Sequence, residues 1–484
     1  MHKRLVANII SHVLLIACFF MVAPLLWAVS EDLYSREVLA FSVTIFLGLI
    51  LACLFRWFFR VGAQEYSKVN TKDGLAVVGI SWILLSAIGA LPLFLSQQVP
   101  SYTDAFFEIT SGFTTTGASI LFDVEALPRG ILFWRSLTHW LGGMGIIVLY
   151  LALLPALGQT AVQLYRAEST GLKTERMQPR IKETAKLLWS VYFFFSFVEF
   201  VLHFAGGMSA FDALCHTFGA VSTGGFSTRN ASLGAFGAYH QWVVTVFMFL
   251  GGTNFILHYQ FLRGDIKAFF KSEEFRFYFS FVLVLIGIFA VVLNSAHLTN
   301  SPIRTSAFQV VSILTATGFV TANFDAWPQV LRFLLLAMMF IGGCGGSTSG
   351  GMKIVRFLLA IKISARSVVQ SIFPNAVLPI KIDGAPLSNR LITEALTFFV
   401  IYILVFFVGT FLFIMTENCD IVTAFSATIS LLSNVGPGLG AVGPAHNFGW
   451  VSLPGKWLLS CIMLVGRLEF YSILILFLPA AWRK

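Results

Sequence analysis

Four short stretches of this chain share a pattern suited to holding a small cation stripped of its water. They read DAFFEITSGFTTTGAS (residues 104–119), FDALCHTFGAVSTGGFS (211–227), TSAFQVVSILTATGFVT (305–321) and VTAFSATISLLSNVGPGLG (422–440). Each holds about three helical turns of apolar residues, too short to cross a bilayer. Each ends in a small or hydroxylated residue, one more residue, and a glycine: Gly117, Gly224, Gly318 and Gly436. Lost hydration has to be replaced by other oxygens, and rings of backbone carbonyls do this in cation filters. Glycine, lacking Cβ, takes backbone angles closed to other residues and lets carbonyls turn toward one axis. The short helices end at these loops, so their negative dipole ends favour a cation by a few tenths to about 1 kcal/mol each. Nothing acidic lies in the loops, which points to carbonyl coordination of a monovalent ion rather than a carboxylate ring. Asp104, Asp212 and Asp420 stand where N-caps of three short helices are expected, with Thr305 or Ser306 in the third unit.

Two further features are expected beneath these loops. Residues 342–351 hold six glycines, among them Gly345, Gly346 and Gly350, together with Ser347, Thr348 and Ser349. At about 1 kcal/mol per glycine against helix, this run predicts a break in the helix that contains it. A phosphate loop is excluded, because Lys353 falls one residue late and no Ser or Thr follows it. Close packing of helices and an intramembrane gating loop both fit the run. Arg467 lies in the last apolar stretch, where a charge costs at least about 2.5 to 3.5 kcal/mol unless it reaches water or a partner. It either meets a carboxylate of another helix, such as Glu108 or Glu199, or stands in the ion path as a fixed positive charge; the second reading is preferred. Glu469 is a poor partner, since residues two apart face nearly opposite sides of a helix. His139, His203, His216 and Glu199 are expected to be satisfied between helices. No H-E-x-x-H, Walker A or G-x-S-x-G motif occurs, and catalysis is not supported.

The elements that must position these residues are membrane helices. Of the 484 residues 57% are hydrophobic and 11% charged, against about 25% charged in soluble domains, and the mean hydropathy is +0.82. Residues 5–30, 74–103, 136–165, 231–262 and 277–303 contain no Asp, Glu, Lys or Arg. A β-barrel, built of short alternating strands, is excluded. The net charge of +9 does not indicate nucleic acid, because 24 of the 32 basic residues fall in short joints that alternate with apolar hairpins. That asymmetry places those joints and both termini in the cytoplasm. Six scattered cysteines form neither a disulfide framework nor a zinc site. The expected fold is an all-α integral membrane protein with ten spanning helices. A two-helix hairpin (residues 1–65) precedes four units of helix, re-entrant helix, glycine loop and helix (66–165, 166–264, 265–365 and 366–484). Irregular backbone at membrane depth survives only inside protein or along a water-filled cavity, so the four loops are expected to line one pore.

The segments TTTGA (114–118), STGGFST (222–228), IGGCGGSTSGGMK (341–353), NVGPGLG (434–440) and GRLE (466–469) resemble the Trk/Ktr/HKT superfamily of potassium transporters. Within it, the chain is similar to the pore-forming TrkH/TrkG-type subunits of bacterial Trk systems over nearly its whole length. The resemblance implies a potassium filter in which the carbonyls of Thr115 and Thr116, Ser222 and Thr223, Ala316 and Thr317, and Asn434 and Val435 coordinate the ion, each pair followed by its glycine. Gly117, where sodium-transporting plant relatives carry serine, favours potassium. The resemblance also implies gating by residues 345–350 with Arg467, a homodimer in the bacterial inner membrane, and a cytosolic TrkA-type subunit binding NAD or ATP. No bound cofactor is expected beyond K+ as the transported ion. Four broken elements on one side favour a channel-like conduit over a K+/H+ or K+/Na+ symporter, in which inverted repeats would place broken helices at the midplane.

Overall fold

The computed structural model describes residues 1–62, 65–66, 70–145 and 181–482. It is all helix apart from one hairpin that pairs Lys381–Ile382 with Ala385–Pro386. Among the described residues six helices are long and apolar enough to cross a membrane, and a seventh span results if one bent pair is counted. The helix Arg36–Phe58 shows why the surroundings are hydrocarbon. Its mean hydropathy reaches 2.7 while only 28% of that window is buried in protein. Phe46 is 64% exposed and Leu39 65%, a cost no aqueous protein of this size would carry along a whole helix.

The N-terminal hairpin consists of Lys3–Phe20, continued after a bend at Met21 by Val22–Glu31, and of Arg36–Phe58, capped by Ser35. It leans on the helix Thr71–Gly89, which opens with a capping box of Asn70 and Asp73. Asp73 also takes a hydrogen bond from the backbone N–H of His2 (2.8 Å) and meets the His2 ring (2.8 Å), so one carboxylate ties hairpin to body.

Four units follow. Their incoming helices are Thr71–Gly89 with its extension Leu91–Leu95, Ile181–Ala205, Glu273–Ser295 and Asn389–Glu417. Their short helices are Tyr102–Phe113, Ala210–Val221, Pro302–Leu314 and Ile421–Leu432. Each short helix is too short to span and is sunk in the core along nearly its whole length. The caps differ from those expected. Ser101 and Ser209 cap the first two, accepting from the backbone of Asp104 and Asp212, which lie three residues inside. Asp420 caps the fourth as expected, and the third starts at Pro302 without a side-chain cap. Serine wins in the first two because its hydroxyl accepts from the third residue while donating back to that residue's carboxylate, at 2.7 and 2.9 Å.

The outgoing helices Arg129–Gly143, Ala238–Gly251, Gln329–Ile341 and Leu453–Arg467 all stop after 13 to 15 residues. Two resume directly at a new angle: Phe255–Leu262 turns by 102°, and Tyr471–Phe477 follows a three-residue break. The six continuous spans are therefore the hairpin and the four incoming helices. Among the described residues the outgoing helices add at most one further span, the bent pair Ala238–Gly251 with Phe255–Leu262. A glycine stands thirteen residues after every outgoing start: Gly142, Gly251, Gly342 and Gly466. In the first, second and fourth units a Cβ there would press on the carbonyl of the short helix's last residue, Phe113, Val221 or Leu432. Removing the side chain lets the two helices of a unit touch at their ends.

Buried ion pairs lock the units together. Lys456 of the fourth unit reaches Asp104 of the first at 2.6 Å, both nearly solvent-free, and also donates to the Gly449 carbonyl at 3.1 Å. Lys456→Met is expected to strand Asp104 and lower stability by about 3 to 5 kcal/mol. Melting in detergent checks this, and adding Asp104→Asn should recover most of the loss; an unchanged melting temperature in the single variant would refute the pairing.

Candidate cation-coordination site

After each short helix the chain makes the same three-residue turn. A non-glycine residue enters the left-handed region (Thr115 φ 52°, Thr223 φ 54°, Ala316 φ 54°, Asn434 φ 55°), one residue follows, and a left-handed glycine completes it (Gly117 φ 79°, Gly225 φ 85°, Gly318 φ 83°, Gly436 φ 101°). Left-handed angles cost a non-glycine residue about 1 to 2 kcal/mol. Hydrogen bonds offset this. The middle residue's N–H bonds the carbonyl five positions back, Thr116 to Ser111, Gly224 to Gly219, Thr317 to Ser312 and Val435 to Ser430, at 2.7 to 2.9 Å. These are Schellman-type helix ends.

The second loop's register lies one residue later than the spacing predicts. Gly225, not Gly224, is the counterpart of Gly117, and the carbonyl pair is Thr223 and Gly224 rather than Ser222 and Thr223. Ser222 is the residue on which the helix ends, and its hydroxyl bonds the Phe218 carbonyl. Two adjacent glycines made the sequence ambiguous, and φ settles which one turns. Side chains agree with the shifted register. Glu108 binds Ser119 at 2.9 Å, two residues past Gly117, and His216 binds Ser227 at 2.9 Å, two past Gly225. His139 bonds the Gly112 carbonyl (2.7 Å) and the Phe226 N–H (3.1 Å), joining units one and two.

With that register the four turns close a ring. A Cβ on Gly117 would be driven into the carbonyl oxygen of Gly224, one on Gly225 into that of Thr317, one on Gly318 into that of Val435, and one on Gly436 into that of Thr116. Each unit thus leans on the carbonyl of the next, and the fourth returns to the first. The Asn434 amide strengthens that last seam by donating to the Thr116 hydroxyl at 2.9 Å. All four left-handed glycines line one vestibule of about 590 Å³, with Arg229 and Asn447 at its wall. At its rim the Asp123 carboxylate is held below its ordinary range, chiefly by the Asn230 amide.

A strap crosses the other side of the ring. The outgoing helix of the third unit stops at Ile341 and resumes at Ile354, and the residues between run under the other units. Gly345 donates to Glu274 at 2.6 Å, Gly346 accepts from the Phe255 N–H at 3.1 Å, and Ser349 accepts from Gly343 at 2.9 Å. Ser347 bonds back to Cys344 within the strap. The Thr348 hydroxyl lies 3.1 Å from the carbonyls of both Val221 and Gly251, and 3.3 Å from the Thr223 hydroxyl. Gly350 abuts the Ser433 carbonyl so closely that no Cβ fits. Arg467 meets neither Glu108 nor Glu199: Glu108 pairs with Arg135 at 2.6 Å and Glu199 lies against His203 at 3.5 Å. The Arg467 guanidinium instead donates to the carbonyls of Thr348 (2.7 Å), Gly142 and Gly143 (both 2.9 Å), clamping the strap to the first unit. Glu469 forms a bidentate pair with Arg356, at 3.0 and 2.6 Å, just past the strap. A cavity of about 90 Å³ lies beside the strap, lined by Gly143, Ser349, Lys353 and Arg467.

Sequence reasoning missed Gly225 and the glycines at helix ends, Gly142, Gly251 and Gly466. Counting from the start of each outgoing helix would have found the latter. Among the described residues no group of three His, Cys, Asp or Glu could hold a metal. What the ring presents is backbone oxygen, with the vestibule on one side and the Arg467 guanidinium at the strap on the other.

Residues 42–484 match the TrkH family, described as cation transport proteins. The chain is 39% identical to the Trk system potassium uptake protein TrkH of Salmonella typhimurium and 40% identical to that of Vibrio parahaemolyticus, over all of both chains in each case. It is 33% identical to TrkG of Escherichia coli, over all of this chain and 99% of that one. The crystal structure of the potassium transporter TrkH from Vibrio parahaemolyticus superposes over 100% of both chains, with a TM-score of 0.89 at 37% identity.

The register makes a prediction that separates the two adjacent glycines. A Cβ on Gly224 meets the His139 ring, a side chain that can be shortened; one on Gly225 meets backbone and a left-handed φ. Gly224→Ala combined with His139→Ser should regain most of its potassium flux in proteoliposomes. Gly225→Ala should lose at least about tenfold with or without that second change. The reverse order would return the register to Gly224.

Proposed function

Because the chain belongs to the TrkH family of cation transport proteins, we propose that potassium crosses it through the ring of four glycine loops, with residues 342–353 and Arg467 as the gate. It is a membrane transport protein and not an enzyme, and its activity is potassium uptake. The observation that carries the finer reading is the cyclic closure of the ring, in which each left-handed glycine faces the next unit's carbonyl. Four equivalent turns meeting around one vestibule supply oxygens from every side, as a dehydrated cation requires. The coordinating carbonyls are those of Thr115 and Thr116, Thr223 and Gly224, Ala316 and Thr317, and Asn434 and Val435. Backbone oxygen is all that is asked of them, so Val435 serves as well as the threonines.

The gate follows from what lies beneath. The strap fills the path below the ring, and Arg467 holds it there through Thr348 while adding a positive charge close to the ion. At an effective dielectric near 20, such a charge opposes a cation by about 2 to 4 kcal/mol at several ångströms. On this reading the loops face outside and both termini lie in the cytoplasm of a bacterial inner membrane, the side on which the basic joints gather. The reading also brings in a homodimer and a cytosolic nucleotide-binding subunit of the TrkA type. The helix Ile354–Ile372 starts directly where the strap ends, so a partner pulling on it would act on the strap itself.

Single-channel recording in bilayers tests the conduit: many ions per opening are expected, and uptake locked to one proton or sodium per potassium would overturn it. Gly117→Ser should admit sodium or reduce flux, because a Cβ at that quarter displaces the Gly224 carbonyl. Unchanged potassium over sodium preference would count against the ring as the filter.

Arg467→Ala tests the gate. Basal potassium flux without a cytosolic partner should rise about tenfold or more. Shortening residues 345–350 should raise flux as well. Variants of both kinds that fold and conduct like the parent would leave the strap as packing material.

A further inference from the structure

The N-terminal hairpin carries a basic cavity that plays no part in the ion path. It lies where the helix Arg36–Phe58 ends, has a volume of about 460 Å³, and is lined by Asn8, His12, Arg56, Trp57, Arg60 and Tyr66. The segment after the helix is tied back over Lys3–Phe20: the Tyr66 hydroxyl donates to Asn8 Oδ1 at 2.5 Å, and Asn8 Nδ2 donates to the Phe59 carbonyl at 3.1 Å. Those bonds hold the cavity open as a built recess. Arg56 and Arg60 are exposed, and neither is paired with a carboxylate among the described residues.

Arginines at a helix C-terminus complement its dipole, which accounts for one charge near Phe58. It does not account for two arginines converging with a histidine on one recess at a membrane boundary. That boundary is marked by Trp57 and Phe58, each 71% exposed and placed where aromatic rings anchor a span. From the cavity's mouth the apolar face of the same helix runs into the hydrocarbon, with Leu54, Leu47 and Phe46 at 42%, 46% and 64% exposure. A polar recess with unpaired guanidinium groups, continued by an exposed apolar track, fits a molecule that is a phosphate at one end and hydrocarbon at the other.

We infer that this cavity binds the headgroup of an anionic glycerophospholipid, its phosphodiester held by Arg56 and Arg60 and an acyl chain lying along Arg36–Phe58. The planar guanidinium matches a phosphodiester through paired N–H donors, and basic recesses between spans recognise such headgroups. The volume suits a headgroup of this size. A free phosphate would satisfy the arginines but leave the apolar track unused. A zwitterionic lipid would bring a second cation against them.

Native mass spectrometry of the detergent-purified full chain tests the assignment, with phosphatidylglycerol titrated against excess phosphatidylcholine. One phosphatidylglycerol should remain bound. Arg56→Gln with Arg60→Gln should weaken it about thirtyfold, about fivefold per arginine, with lipid-free melting unchanged. Should the double variant fold poorly, Arg60→Gln alone, beyond the helix end, should still lose about fivefold. Unaltered retention in either folded variant, or equal retention of phosphatidylcholine, would overturn the inference. So would displacement by millimolar inorganic phosphate, which would make this a free-anion site.

Discussion

Backbone polar groups at membrane depth have no water to bond, and every one left over must be matched inside the protein. The four loops carry such groups, and the surrounding structure satisfies several of them. Schellman bonds take the N–H groups of the turns, Glu108 takes the Ile120 N–H (2.9 Å), Ser312 donates to the Phe319 carbonyl (2.7 Å), and Ser430 donates to that of Pro437 (3.0 Å). Glu108, Ser312 and Ser430, buried in the short helices, are therefore spent on the chain just beyond the turns. The carbonyls of the turns themselves receive no such donor from these side chains, which is why they are proposed to bind a cation.

The same constraint explains the buried charges. Arg135 is almost solvent-free, yet it pairs with Glu108 and lies 4.1 Å from the centre of the Phe226 ring, so it braces the first loop against the second. Lys456 and Asp104 do this between the fourth and the first. Such pairs contribute little net stability over apolar residues of equal size, and their value lies in fixing which unit meets which. His139, which joins a carbonyl of one unit to an N–H of the next, plays the same part without charge.

Much of this was legible in the sequence because composition and charge act over long stretches. Apolar runs give spans, and three turns followed by a glycine give a helix that stops. What stayed hidden depended on single residues and on distant partners. Between Gly224 and Gly225 the sequence offers no preference, since both can turn; the decision comes from Gly219 and Thr317, which are not adjacent to either. Glu469 and Arg356 are 113 residues apart, and their pairing requires two left-handed residues in succession, Glu469 and Phe470, that propensity argues against. The broken outgoing helices were legible in the third unit, where six glycines accumulate, and missed elsewhere, where one glycine and tertiary contact suffice.

Among the described residues the strap belongs to one unit only, and this is possible because all four quarters are written in a single chain. In a pore made of four identical subunits any segment that crossed the axis would appear four times, and the copies would collide at the centre. Such a pore has to close by a symmetrical narrowing, with every subunit moving. Here the quarters are free to diverge: one supplies the crossing segment, another the arginine that holds it, a third the carbonyls it rests on. In the gate proposed above, obstruction and release need only one element to move, and the ring above it need not change shape. The covalent linkage of the repeats is in this sense what permits an asymmetric closure on a nearly symmetric opening.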